Sequence, residues 1–593
     1  MAKSGVTKIA VYANCDMATI AWSAGELISG CRGFAVERQV TGPKGDAPSG
    51  FIKTWVGFKG QKHKPGESQP STVWPVQRYL WSDYLVSFGQ KVRYRVIPMI
   101  GSAGKLKKAP ENLWSAWSPW VTTDTEKTRG FKAYFNRGIV PSQFLARQAN
   151  NQGQFDKMLK ENIQDPKSKI RQFLGGPLRV HLLDLLEQAK DAGVKIYAAL
   201  YELNDPELIA ALKKIGPKCS LILASGAYKP ANKKKGTPAV PDENKKTRLD
   251  LKKSKTVAVY DRLVKSPHFA HNKFVVFCDK KGNPATVWSG STNWTVTGLC
   301  TQTNNGVLID DSSIALAYLN RWQELKDAKA GYPKSLAVEG SKPAVHSTNG
   351  VPVRAWNAPC QKYVDLKDAK QYIQKAKEGV LFLMFNPGTG DGKKKEKALI
   401  QDILALDENK LFIHGVLNQD PGGNKAPLIQ LTHKGKQLPR VELPAILPKN
   451  LQSAGRNWFK TTFQFNMVMI HSKIVVIDPF GKNPVVMTGS HNLGPKASSS
   501  NDDNMVIISD APGVAAEYAV YIMNVYGHYK WMFNEFLASG KAAGKGKQMS
   551  AKAAAKAKKT SPQFDGNLDN DTWQQRFLKE GPDLREMNFW LGK

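Results

Sequence analysis

The chain has 593 residues and a formal charge of +35, from 85 Lys and Arg against 50 Asp and Glu. With 41% hydrophobic and 23% charged residues, it sits near soluble globular averages, which excludes a collagen-like, a wholly disordered and a disulfide-scaffold chain and, at this length, calls for several domains. The positive field favours a polyanion, an anionic membrane surface or a phosphate-bearing substrate without choosing among them. Cys15, Cys31, Cys219, Cys278, Cys300 and Cys360 lie far apart with no CxxC pair, so no zinc spacing is visible and a reducing compartment is the plain reading. The start, MAKSGVTKIAVYANCD, lacks the apolar core of a signal peptide, and no 18-residue apolar run occurs. A cytoplasmic protein, or one exported without a cleaved Sec signal peptide, and no transmembrane segment are therefore expected.

Residues 6–123 read as short strands, VTKIAVYA, MATIAWS, GFAVERQV, FIKTWVGF, YLVSF, QKVRYRVIPMI and WVTT, separated by Gly, Pro, Asn and Lys turn clusters. That spacing predicts an all-β sandwich over residues 1–123. ATIAWS, GFAVERQV and KVRYRVIPMI resemble the B, C and F strands of a fibronectin type III domain, and Trp114, Ser115, Trp117 and Ser118 spell the WSxWS seen near the last strand of some such domains.

From about Thr128 helices alternate with strands. LRVHLLDLLEQAKDAG has helical spacing, and VKIYAALYEL, KCSLILASG and KTVAVYD follow as strands, which argues an α/β layer over 124–340. The Lys- and Pro-rich stretch between SLILASG and TVAVYD is expected to be a mobile loop. The pattern restarts over 341–540, with DLKDAKQYIQKAKEG as helix, VLFLMFN and KLFIHGVL as strands, and VAAEYAVYIMNVYGHYKWMFNEFLA as a long helix. In the remainder, 541–593, the tract 541–560 holds seven lysines and no acid, and without it the charge is still +28. This tract is expected to be flexible, and the aromatic end from Trp573 to dock on the body.

The chemistry-bearing signal is an internal repeat. HNKFVVFCDKKGNPATVWSGSTNW begins at His271 and HSKIVVIDPFGKNPVVMTGSHNL at His471. In both copies Asp (Asp279, Asp478) precedes the Gly of GSxN (Gly290, Gly489) by eleven positions, and Asn (Asn293, Asn492) follows that Gly by three. Residues i and i+2 of a strand face one side, so His271 with Lys273, and His471 with Lys473, each present an imidazole and an ammonium together. In GSxN, Gly allows a tight turn, while Ser291, Ser490, Asn293 and Asn492 can donate to an oxyanion, so each copy offers half a phosphate clamp. Asp279 and Asp478, several residues from His, read as structural. His268, His414 and His491 read as satisfied histidines, and Trp288, Trp294 and Phe269 as core.

This arrangement resembles the phospholipase D superfamily, whose HxK...D...GSxN motif occurs twice per active site. The resemblance implies two phospholipase D-like α/β domains with mixed sheets flanked by helices, meeting at one site, in a multi-domain chain that begins with the sandwich. It implies that one of His271 and His471 attacks phosphorus to form a phosphohistidine, while the other protonates the leaving alkoxide and then activates water. Lys273, Lys473, Asn293 and Asn492 would hold the nonbridging oxygens, with no metal and no cofactor. Family members place an acid beyond GSxN to hold the His Nδ1 proton; eleven positions beyond the Asn lie Asp503 in the second copy and Asn304 in the first. Taken copy by copy, the carboxylate favours His471 as nucleophile, whereas family precedent favours His271, which is the assignment adopted. Phosphodiester chemistry on phospholipid head groups at an anionic membrane surface is expected, with nucleic acid as the alternative substrate and a noncatalytic binding protein as the third reading. A monomer is expected, because one chain carries both half-sites.

Overall fold

The computed structural model describes residues 5–42, 47–61, 67–123, 130–138, 160–226, 228, 239–388, 396–407, 410–419, 427–433, 436–437, 469–538 and 566–593. The lysine tract 541–560 lies outside them. The amino-terminal region is β-rich. One sheet pairs Val6–Ala13 with Ala18–Ala24 and then Leu80–Asp83, and the other runs Val121–Thr122, Lys91–Ser102, Cys31–Thr41, Ala47–Phe51. Trp22, Phe34 and Tyr79 fill the space between the sheets, and alternate residues of Lys91–Ser102, such as Val92, Tyr94 and Val96, point inward. Two expected strands are displaced. YLVSF gives way to Leu80–Asp83, because Asp83 turns the chain by accepting the Leu85 N–H at 2.9 Å. FIKTWVGF is divided among Ala47–Phe51, Lys53–Thr54 and an irregular stretch ending at Phe58.

The first α/β half is a mixed seven-stranded sheet in the order Phe131–Phe135, Asn305–Ile309, Pro284–Gly290, Lys273–Cys278, Ile196–Leu200, Cys219–Ala224, Ala258–Arg262. FVVF is buried on both faces between Ile196–Leu200 and Pro284–Gly290, as a central strand covered by helices must be. The covering helices include Lys169–Ala192 and Ser312–Ala328. Part of the expected mobile loop is in fact the helix Lys245–Ser254. Thr247, Arg248 and Leu251 bury one face of it, and Arg248 donates to the Ala224 carbonyl. Local composition missed it because only a thin apolar stripe anchors a lysine-rich helix.

The second half repeats the plan. Val351–Ala358, Asn501–Ser509, Val485–Gly489, Lys473–Ile477, Gly379–Met384 and Phe412–Gln419 lie in that order within a ten-stranded sheet. The helix Pro512–Ala538 of the second half also serves the first: Tyr518 and Tyr521 pack on Phe135, and the Tyr521 hydroxyl donates to the Asn304 carbonyl at 3.2 Å. The end of the chain is a strap. Trp573 donates from its indole to the Cys31 carbonyl at 3.0 Å, while Phe589 stacks on Phe412 at 4.3 Å, so residues 566–593 join the β-rich region to the second half.

Candidate active site

Each histidine-bearing strand enters by way of the opposite half. Phe269–Ala270 pairs in parallel with Asn501 and Asp502, and His271 N–H donates to the Asp502 carbonyl at 2.9 Å. Reciprocally, Thr303 and Ile470 form a bridge, and His471 N–H donates to the Thr303 carbonyl at 3.1 Å. The residue that follows each of these contacts therefore meets the other half's histidine. His271 Nδ1 lies 2.8 Å from Asp503 Oδ1, and His471 Nδ1 lies 2.9 Å from Asn304 Oδ1. Reading each copy by itself assigned these partners the wrong way round, because contacts between the halves decide them. The carboxylate serves His271.

The orienting groups are themselves fixed. Asp503 also accepts from Ser490 Oγ at 2.7 Å and from Asn501 Nδ2 at 3.0 Å. Asn304 Oδ1 accepts from Ser291 Oγ at 2.7 Å, while its Nδ2 donates to the Gly298 carbonyl at 2.9 Å. That second bond holds the amide oxygen toward His471. Ser291 and Ser490 were expected to bind substrate, but each hydroxyl proton is spent on the residue that orients a histidine. Gly290 and Gly489 do not make tight turns either. Both close a strand, with φ of +156° and +144°, where a Cβ would come within 2.3 Å of the Asn305 or Asn504 carbonyl oxygen. Their role is close approach of strands.

Lys273 and Lys473 each donate to the carbonyl of the histidine two residues earlier, at 2.6 Å for Lys273. Each ammonium lies 4.7 Å from an aromatic centroid, Tyr201 in the first half and Phe385 in the second, and the same rings flank His271 at 4.7 Å and His471 at 4.8 Å. Burial lowers the basicity of both lysines, with Lys273 held at about 7. Burial and the neighbouring lysine also keep His271 down at about 4 and His471 well below its ordinary value. Burial alone would raise Asp503, but His271 overcomes it and holds the carboxyl below the usual range. Neutral imidazoles that donate from Nδ1 leave the Nε2 lone pair free to attack or to take a proton.

The remaining residues have structural contacts. Asp478 accepts the N–H groups of Lys377, Glu378 and Gly379 at 2.7–2.9 Å, and Asp279 closes a turn with Asn283. His268 stacks on Tyr332 at 3.7 Å, His414 stacks on Phe412 at 3.9 Å, and His491 lies 3.2 Å from buried Asp365. Trp288 and Trp294 are buried. Among the described residues no three His, Cys, Asp or Glu side chains gather as a metal site, and no helix is long and apolar enough to cross a membrane.

Sequence reasoning missed Glu202 and Glu243. Asn293 Nδ2 donates to Glu202 Oε2 at 2.7 Å. Burial and then the neighbouring Glu243 carboxyl push Glu202 up to about 8, against the pull of Lys273. The available signal was an acid two residues after the buried strand that pairs with the HxK strand. At the matching position the second half has Asn386.

The two imidazole–ammonium pairs lie close enough for each to feel the other's charge, an arrangement suited to a phosphodiester. Residues 182–326 and 369–526 match the family described as cardiolipin synthase, PLD-like domain. That is more than half of the chain, and the chain belongs to this family, whose fold is that of phospholipase D-type phosphodiesterases. No curated protein sequence matches the chain. Among solved structures it is similar to phosphatidylserine synthase from Haemophilus influenzae Rd KW20, at 13% identity and a TM-score of 0.37, covering 58% of this chain and 83% of that one. It is also similar to polyphosphate kinase from Porphyromonas gingivalis, at 11% identity and a TM-score of 0.34 over 81% and 69% of the two chains. For the yeast tyrosyl-DNA phosphodiesterase the values are 11%, 0.29, 55% and 84%.

Proposed function

We propose that the protein is a phosphodiesterase that cleaves or exchanges phospholipid head groups through a phosphohistidine on His271. The observation that carries this reading is the crossed pairing, in which, among the described residues, the one carboxylate bonded to either histidine sits on His271 Nδ1. His471 first takes up a proton at its free Nε2; His271 Nε2 then attacks phosphorus, and the bond to the alkoxide breaks as His471 passes that proton to it. Asp503 stabilises the resulting charge on the His271 ring. His471 then takes a proton from water, which attacks phosphorus and breaks the phosphorus–nitrogen bond. An alcohol in place of water gives exchange. Lys273, Lys473, Asn293 and Asn492 hold the nonbridging oxygens, supplying the charge that a cation otherwise would.

A charge of +35 suits an anionic bilayer and also favours nucleic acid as the alternative substrate. The test is incubation with phospholipid vesicles, and separately with single- and double-stranded DNA, in EDTA. Release of head-group alcohol without DNA cutting is expected. DNA cutting alone, or activity lost in EDTA and restored by Mg²⁺ or Ca²⁺, would overturn the reading. We also infer that the β-rich region is fibronectin type III-like. Support comes from Ser115 and Ser118, whose hydroxyls accept from the N–H groups of Val96 and Tyr94, and from Arg93 and Arg95, which lie 4.8–5.0 Å from Trp114, Trp117 and Trp120. Trp117→Ala should lower the unfolding temperature of this region, and an unchanged temperature would count against the inference.

A further inference from the structure

Three neighbouring side chains of the first half, Asn293, Glu202 and Glu243, carry hydrogen-bond acceptors beside its motif. Asn244, buried at the start of Lys245–Ser254, donates from Nδ2 to the carbonyls of Tyr201 and Ala224 at 2.7 Å each, and its Oδ1 accepts the Leu203 N–H at 2.9 Å. These bonds tie the ends of two strands together and set the preceding residue, Glu243, against Glu202. Gly226, at φ +61°, leaves the room, since a Cβ there would come 2.9 Å from Glu243 Oε2 and 3.4 Å from Glu202 Cγ. Glu202 is half-buried and Glu243 exposed, so the pair opens outward from the catalytic histidines. The third acceptor is Asn293 Oδ1. Its residue is 4% exposed, its Nδ2 is held by Glu202, and its oxygen has no partner among the described residues.

A buried amide oxygen without a donor is costly, and one placed beside two carboxyl groups calls for a ligand rich in N–H. Lys273 does not satisfy it, because that ammonium donates to the His271 carbonyl and faces the Tyr201 ring. We propose that Glu202, Glu243 and Asn293 Oδ1 form the subsite for a primary-ammonium-bearing alkoxy group of the phosphodiester. The subsite deepens, and rests on, the phosphodiesterase reading above. Acidic side chains placed side by side attract an ammonium and repel the next phosphate of a nucleic acid strand. Three acceptors also favour a primary ammonium over a quaternary one, which has no N–H to give. The second half, with Asn386 in place of Glu202, lacks this charge.

The test measures binding as well as turnover, on the whole chain. Calorimetry with glycerophosphoethanolamine, glycerophosphocholine and glycerophosphoglycerol should show the ethanolamine diester binding about tenfold tighter than either of the others, as expected for charge-assisted hydrogen bonds. Glu243→Gln, an exposed substitution, should reduce that preference to about twofold or less, and Glu202→Gln should do the same. Equal binding of the three diesters by the unaltered protein, or a preference that survives in Glu243→Gln, would overturn the subsite. Phosphatidylethanolamine vesicles distinguish a lipid source from a free diester. Turnover of vesicles and soluble diester alike, lost in Glu243→Gln, supports a lipid-accessible subsite. Turnover of the soluble diester alone supports the same chemistry with a small substrate. Preferential binding without turnover in any arm supports the subsite and sinks the phosphodiesterase reading by itself.

Discussion

The strand Ile196–Leu200 of the first half delivers Tyr201 and Glu202 to the cleft, where the equivalent strand of the second half, Gly379–Met384, delivers Phe385 and Asn386. The difference continues behind the histidines, where a carboxylate orients His271 and an amide orients His471. A duplicated scaffold gives two imidazoles matching positions. Only unlike neighbours can give them unlike tasks, since a carboxylate favours the charged ring that a nucleophilic histidine becomes, and an amide leaves its partner readier to release a proton.

The most severe way to probe this comparison is to remove each histidine. His271→Ala and His471→Ala should each lower turnover of bis(p-nitrophenyl) phosphate by on the order of 10⁴-fold or more. The variants should still differ, because His471→Ala retains the nucleophile and should accumulate a phosphohistidine seen by intact mass. Locating that adduct on His471 in the unaltered protein would reverse the two roles. Next in size is the orienting pair. Asp503→Asn should cost on the order of 10²-fold in kcat, and Asn304→Ala about tenfold; equal losses would show the two supports to be equivalent.

The pH profile comes third. Protonation of His271, held at about 4, removes its lone pair, and deprotonation of Lys273, held at about 7, removes a clamp charge. Activity should therefore fall on acidification through the first value and on alkalinisation through the second. A profile flat across both would break the assignment. Asn304→Asp makes the halves alike and, since a carboxylate favours the imidazolium, should raise the pH at which the His471 ring loses its proton, as read by NMR titration of that ring. The smallest effect is expected from deleting 541–560, which should weaken attachment to anionic vesicles in low salt and leave small-diester turnover within about twofold. A collapse of turnover would tie the tract to the site.

Much of this was legible in the chain. The strands FVVF and IVVI announce themselves by unbroken apolar runs, and HxK with GSxN repeats at one spacing, so both imidazole–ammonium pairs could be named from residue order, and the Asn304/Asp503 positions from the family resemblance. Local reading was weaker where few contacts decide the outcome. The helix Lys245–Ser254 rests on a thin buried face, and Leu80–Asp83 forms in place of YLVSF because a single Asp turns the chain.

Sequence by itself determined which groups this protein can bring to a phosphodiester, because strand periodicity places side chains two apart on one face whatever the rest of the chain does. Tertiary structure alone decided who serves whom. His271 meets Asp503 across 232 positions and His471 meets Asn304 across 167, since each entering strand hydrogen-bonds to the opposite half. The same long-range packing commits Ser291 and Ser490 to those partners, and Asn244 sets Glu243 against Glu202 by bonding to two strand ends that are far apart in the chain. Contacts of this kind carry no local periodicity, so residue order contains the partners but not their pairing.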